Sequence, residues 1–199
     1  ARFKLISTGK ISQQSLLFED QHLERLTKAS RYFAYPFDPE ELRQKIEEEC
    51  QACDSHRDYR LRITLSKSGE MELSRQILTP LSPTFCQAKL CLQEADLQQA
   101  FTYFKTTHRP HLSLGEQEII YHNAAGELLE TSIGNLVLKI AGKLYTPPTS
   151  LGILPGIYRQ HLLETGQVEE KVLTLADLNQ TEAVYGCNAV RGLYELEVI

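Results

Sequence analysis

Four short apolar segments crowd into the stretch from Glu118 to Thr146, separated only by polar or Gly-containing turns. Glu118 to His122, Leu128 to Thr131, Leu136 to Ile140 and Lys143 to Thr146 are each strand-length, and Ala124-Ala125-Gly126 and Ala141-Gly142 supply reversals. A chain so dense in strands must pair them into an extensive sheet, because unpaired backbone donors and acceptors are costly when buried. Pro147-Pro148 breaks the last strand. Gly156 to Leu163 then reads as a helix ended by Thr165-Gly166, followed by a strand near Val172, a capped helix around Leu175 to Leu178 and a strand from Ala183 to Cys187.

The first half has a different rhythm. Phe3 to Ile6 and Ser15 to Phe18 read as short strands with a turn around Gly9-Lys10. Asp20 is placed to cap a helix whose one face carries Leu23, Leu26, Ser30 and Phe33, and Tyr35-Pro36-Phe37 stops it. Asp38, Pro39 and Glu41 open a second helix with Leu42, Ile46, Glu49, Cys50 and Cys53 on its partly apolar stripe. From Tyr59 the period becomes two: Leu61, Ile63 and Leu65 alternate with Arg60, Arg62 and Thr64, and Lys67-Ser68-Gly69 turns the chain into Met71 and Leu73. Pro80 and Pro83 mark a connection, Cys86 to Leu92 forms another strand, and the chain crosses into a second domain near Leu92 to Phe101. The expected class is α/β with α+β elements: a small N-terminal domain over residues 1–93 and a larger domain of short strands with helices over 94–199.

Composition removes several functions. With 21 basic and 26 acidic residues, net charge −5 and no long run of either sign, a general nucleic-acid surface is not expected. No apolar stretch is long enough to span a bilayer, and Ala1-Arg2-Phe3-Lys4 does not lead into a signal peptide. Five cysteines at irregular spacing point to reduced thiols and a cytoplasmic setting. Cys50 and Cys53 have redox or metal spacing but no second ligand pair, so they read as ordinary helix cysteines, and no metal is expected.

Three features carry chemistry. Lys105 stands in the run Tyr103-Phe104-Lys105-Thr106-Thr107-His108-Arg109, at a strand end, where aromatic neighbours can desolvate the amine. Desolvation lowers a lysine pKa and makes the amine nucleophilic enough to condense with an aldehyde. Leu154-Pro155-Gly156-Ile157-Tyr158 opens a helix whose free N–H groups suit a phosphate, with Arg159 just inside. Glu130 ends an apolar strand and can face a protonated ring nitrogen. Singly, each has a plain alternative: a surface lysine, a structural helix start, a solvated carboxylate.

In order, the motifs His22-Leu23-Glu24-Arg25-Leu26, Phe104-Lys105-Thr106-Thr107-His108-Arg109, Glu130-Thr131-Ser132-Ile133-Gly134-Asn135-Leu136, Thr146-Pro147-Pro148, Gly152 to Ile157 and Tyr185-Gly186-Cys187-Asn188-Ala189 span nearly the whole chain. On them the chain resembles the fold-type IV pyridoxal-phosphate enzymes, the class-IV aminotransferase family of branched-chain aminotransferases, D-amino-acid aminotransferases and aminodeoxychorismate lyases. The resemblance implies pyridoxal 5'-phosphate as cofactor, held between two domains. Lys105 corresponds to the lysine that carries it, Glu130 to the partner of the ring nitrogen, and Arg25, Ile157, Tyr158, Cys187 and Asn188 to the phosphate-side contacts.

Within the family, the Lys105 and Asn188 blocks look most like aminodeoxychorismate lyase. The opening Phe3 to Thr8 and Ala29 to Phe33 resemble the lyase domain of synthase-lyase fusions. The implied reaction turns 4-amino-4-deoxychorismate into 4-aminobenzoate and pyruvate, feeding folate synthesis. His108 and Arg109, which adjoin Lys105, are the favoured substrate-binding residues, with Arg60 and Arg62 as further candidates. Lys4, Ser7 and Tyr158 depart from the family pattern. A homodimer and an aminodeoxychorismate synthase partner are also implied. The alternatives are a D- or branched-chain amino-acid aminotransferase and a non-catalytic domain that keeps the fold.

Overall fold

The computed structural model describes residues 3–93 and 100–199, which pack as two compact units. The chain up to Pro80 forms the first unit together with a returning segment, Phe104–Arg109. Its elements are β1 (Leu5–Ser12), β2 (Ser15–Leu16), α1 (Glu19–Phe33), α2 (Pro39–Gln51), β3 (Tyr59–Leu65) and β4 (Met71–Ile77). The strands form an antiparallel sheet in the order β2-β1-β3-β4. Leu5, Ile11, Leu61, Ile63 and Leu65 line one face of it and pack with Leu23 and Leu26 of α1 and Leu42 and Ile46 of α2. Burying one such side chain is worth about 1.5–3 kcal/mol, so this layer sets which face of the sheet turns inward. Cys50 and Cys53 belong to the same core as free thiols, and burial raises the pKa of both.

Two sequence expectations shift here. β1 runs straight through Gly9-Lys10, and the reversal falls at Gln13 and Gln14, both with positive φ (49° and 58°), as a tight hairpin turn demands. Gly9 is needed instead for close packing: a Cβ there would stand 2.5 Å from His22 Nε2. The cap of α1 is Phe18 in a left-handed conformation, with Asp20 inside the first turn. The cap of α2 is Asp38 as expected, accepting from the backbone N–H groups of Glu40 and Glu41.

The second unit spans Leu81–Tyr103 and Pro110–Ile199. It comprises β5 (Gln87–Leu92), α3 (Ala100–Tyr103), β6 (Ile119–His122), β7 (Leu128–Thr131), β8 (Asn135–Ile140), β9 (Lys143–Thr146), α4 (Ile157–Glu164), β10 (Glu169–Glu170), α5 (Leu175–Leu178), β11 (Ala183–Asn188) and β12 (Gly192–Val198). The sheet order is β10-β9-β8-β11-β12-β5-β6-β7, and β7 pairs back onto β8 through Glu130 and Asn135. That pairing closes the strands from β8 round to β7 into a barrel-like ring, which removes two exposed edges. Ala88, Ile120, Leu128, Leu136, Leu138, Tyr194 and Leu196 share one core of this unit.

The expected domain boundary at residues 93 and 94 moves to Pro80/Leu81, because β5 pairs with β6 and β12 of the second sheet. Part of the expected crossing, residues 94–99, lies outside the described residues, as do Ala1 and Arg2. The strand expected near Val172 is β10, at Glu169–Glu170, and Val172 itself is exposed. The alternating β12, with Tyr194 and Leu196 buried, adds a strand beyond the sequence reading. Among the described residues no helix is long and apolar enough to cross a membrane, and no cluster suits a metal ion.

Candidate active site

In the first unit, Lys105 follows a short helix, not the expected strand. Phe104 anchors it by stacking on Tyr32, with centroids 4.6 Å apart, and meeting Phe33 edge-on at 5.5 Å. The next residues pair with β1: Ile6 donates to the Lys105 carbonyl at 3.0 Å, Thr107 donates to that of Lys4 at 2.9 Å, and Leu5 faces Thr106. Lys105 is partly buried, and burial, then Arg25, Arg109, Arg60 and Arg62, hold its pKa well below that of an ordinary lysine. A neutral amine is therefore favoured.

Arg25, on α1, is also partly buried, and its side chain has no hydrogen-bond or ion-pair partner among the described residues. Burial and neighbouring Arg109 lower its pKa to about 10. A desolvated guanidinium without a carboxylate is built to take an anion. His22, one turn earlier, is fully buried and shares a 2.6 Å hydrogen bond with Ser7 Oγ. Burial, Arg25 and Lys105 push it down to about 3, so it adds no positive charge near neutral pH. Of the expected substrate-binding residues, Arg109 is close enough to affect both Arg25 and Lys105, whereas His108 is exposed in a turn tied to Thr106.

In the second unit the β7–β8 turn is a hub. Glu130, 2% exposed, sits where the barrel closes opposite Asn135. Asn135 reaches from there toward α4, donating through Nδ2 to the Leu154 carbonyl at 2.8 Å. Gly156 caps α4, and a Cβ on it would lie 2.1 Å from Asn135 Oδ1, so only glycine fits. No side-chain hydrogen bond caps α4, and its N-terminal end, at Ile157 and Tyr158, has the geometry that suits a phosphate. Arg159 does not face that way: it bonds to the Pro147 carbonyl and Glu170.

Asn188 joins the same turn by donating through Nδ2 to the Ile133 carbonyl at 3.1 Å, while its Oδ1 accepts from the N–H groups of Val190 and Arg191. Its side chain is committed to these bonds. Cys187 is fully buried, with its thiol pushed up to about 12 mainly by burial. A buried clamp missed in the sequence reading completes the hub. Glu118 is 0% exposed and accepts from the Ser132 N–H at 3.0 Å, from Ser132 Oγ and from Tyr194 Oη at 2.8 Å. Gly186 leaves room for the Tyr194 ring, which a Cβ would meet at 2.3 Å. The alternation of β12 was a signal for Tyr194; nothing local marked Glu118.

Each unit by itself carries groups that suit pyridoxal phosphate: the first an amine of lowered pKa and a guanidinium without an ion pair among the described residues, the second a helix start without a side-chain cap and a buried carboxylate.

The family model described as amino-transferase class IV matches residues 4–199. A Mesorhizobium loti protein assigned provisionally as an amino-acid aminotransferase is 27% identical, with a TM-score of 0.86 over 99% of this chain and 100% of that one. The PLP-bound form of a hypothetical aminotransferase from Mycobacterium tuberculosis shares the fold, with 16% identity and a TM-score of 0.81 over 98% of this chain and 81% of that one. Aminodeoxychorismate lyase of Saccharomyces cerevisiae is 30% identical over 119 residues, covering 47% of this chain and 32% of that protein. The matches span about a third of the length of the curated relatives.

Proposed function

We propose, on the premise that this chain belongs to the amino-transferase class IV family, that it is a pyridoxal-phosphate-dependent lyase converting 4-amino-4-deoxychorismate to 4-aminobenzoate and pyruvate. The observation that carries the reading is Lys105: a partly buried amine, lowered in pKa by burial and four arginines, on a segment pinned to β1. When bound, the cofactor supplies an electrophilic carbon and an electron sink.

The chain's residues do the rest. Arg25 and the amides of Ile157 and Tyr158 hold the phosphate, with Cys187 and Asn188 bordering it. Glu130 holds a proton at the ring nitrogen. Lys105 Nζ, its pKa held well below that of an ordinary lysine by burial and the neighbouring arginines, takes the proton from the substrate's amine-bearing carbon, and departure of the enolpyruvyl group leaves an aromatic ring. Arg109 and His108 orient the substrate. The yeast lyase supports the reaction, and five free thiols suit a reducing cytoplasm. A homodimer and an aminodeoxychorismate synthase partner belong to the same proposal and rest on the family resemblance.

A second reading, amino-acid aminotransferase, is favoured by the Mesorhizobium relative. Product analysis separates the two. Cofactor-loaded protein given 4-amino-4-deoxychorismate and no keto acid will release pyruvate and 4-aminobenzoate in equal amounts, and Lys105→Ala will release neither. Borohydride will fix the cofactor to Lys105, as read by peptide mass spectrometry. Fixation without pyruvate, together with turnover that requires a keto acid, would replace the lyase with the aminotransferase.

A further inference from the structure

Asn135 opens β8 where the sheet of the second unit closes. It pairs antiparallel with Glu130 of β7 on one side and with Cys187 of β11 on the other. Residues directly opposed in an antiparallel pair send their side chains to the same face, with Cβ atoms about 4.5–5.5 Å apart. Glu130, Asn135 and Cys187 therefore share one face. It is the face that carries α4, because Cys187 and Val137 pack there with Leu162 of that helix. The turn from Glu130 to Asn135 is itself pinned, by Asn188 at the Ile133 carbonyl and by Glu118 at the Ser132 N–H.

Asn135 also reaches the start of α4. Its side chain is buried and used on two sides. Nδ2 donates to the Leu154 carbonyl at 2.8 Å, two residues before the cap of α4. Oδ1 fills the space that a Cβ on Gly156, the cap itself, would take, at 2.1 Å. Pro155, between these two points, stiffens the link through its fixed φ. A short amide held by one hydrogen bond and one close contact leaves little freedom in the distance from β8 to the helix. A pyridine ring bearing a phosphate ester is likewise of nearly fixed length. A site grips both ends of such a molecule at once only when its two grips are held at that length.

We propose that Asn135 is a positioning residue, a spacer that fixes the separation between the Glu130 carboxylate and the start of α4 so that the ring nitrogen and the phosphate of one cofactor are held together. This role rests on the reading of the chain as a pyridoxal-phosphate enzyme, and it holds for a lyase or an aminotransferase alike. Its consequence is cooperativity within a single ligand: one end, once held, delivers the other at little further ordering cost. Without the spacer each end still binds, and the second gains little from the first.

The test measures binding rather than turnover. Calorimetry on the apo protein compares pyridoxal phosphate with pyridoxal, 1-deazapyridoxal phosphate and 1-deazapyridoxal. The four affinities give the contribution of the phosphate with and without the ring nitrogen, and the ratio of those contributions is the coupling. The parent will show a coupling of roughly ten-fold or more. Asn135→Ala will bring it close to one, while Gln160→Ala, at an exposed position of α4, will leave it at the parent value. Gly156→Ala will cost pyridoxal phosphate affinity in the parent and far less in Asn135→Ala, where the obstructing Oδ1 is gone. Far-UV circular dichroism identifies a variant that does not fold. In that case Asn135→Asp, equal in size but without the donor to Leu154, supplies the comparison, again with reduced coupling. Full coupling in a folded Asn135 variant, or a parent in which both ends contribute without coupling, would overturn the spacer and spare the cofactor reading. A parent that binds all four compounds alike would sink the cofactor reading and the spacer with it.

Discussion

Lowering the pH from 7 to 5 should destabilise the first unit through His22 alone by about 2 kcal/mol, from ~1.36 kcal/mol for each of the roughly 1.5 pH units below the histidine's ordinary pKa. The folded imidazole has its pKa at about 3 against an ordinary 6.5, because it is buried and lies near Arg25 and Lys105. At pH 5 the unfolded chain therefore binds a proton that the folded chain refuses. Stability from this group is complete above 6.5, falls as the pH drops through the window from 6.5 toward 3, and stops changing below it. The assay is urea denaturation of the apo protein at pH 7, 6 and 5, beside His22→Gln. The chain has no Trp, so tyrosine fluorescence and circular dichroism report the transition. His22→Gln should cost stability at pH 7 by breaking the Ser7 contact, and the gap to the parent should narrow by about 2 kcal/mol at pH 5. A gap that stays constant with pH, or an NMR titration of His22 near 6.5, would refute the reasoning.

Three other perturbations address the site. Arg25→Gln removes a cation that lowers the Lys105 pKa, so the pH profile for cofactor capture by the apo protein should move to higher pH, while phosphate competes less well with the cofactor; an unmoved profile would remove Arg25 from the site. Tyr194→Phe withdraws a donor from buried Glu118 and should cost about 1–3 kcal/mol in denaturant unfolding; a loss below ~0.5 kcal/mol would show that the clamp is already satisfied elsewhere. Gly156→Ala drives a Cβ into Asn135 Oδ1, so cofactor affinity, measured by absorbance titration, should fall at least ten-fold, and unchanged affinity would mean that α4 does not hold the phosphate.

Local chemistry was legible where a residue's conformational preference and its position agreed. Asp38 and Pro39 start α2, Thr174 and Asp177 form a capping box on α5, and β7 and β9 lie where alternation and turn residues put them. Gly9 misled because glycine serves both turns and close packing, and its partner, His22, lies on another element. The boundary at Pro80/Leu81 was hidden for a similar reason: the apolar pattern of β5 does not say which sheet will accept it.

The same division holds for the site. The sequence alone determined the reactive types and their order: the amine of Lys105, the carboxylate of Glu130, and a helix opened by Pro155 and Gly156, because such chemistry belongs to individual side chains and short backbone runs. Only the tertiary structure decided that Arg25 has no counter-ion among the described residues, that Arg159 is spent on Glu170, and that Asn188 is committed to the β7–β8 turn. It also brought Glu118, Ser132 and Tyr194 together, the Ser132 N–H and the Tyr194 hydroxyl both donating to the Glu118 carboxylate. Burial and electrostatic neighbourhood are set by strand register and packing, which join residues far apart in the chain and leave no local trace in its order.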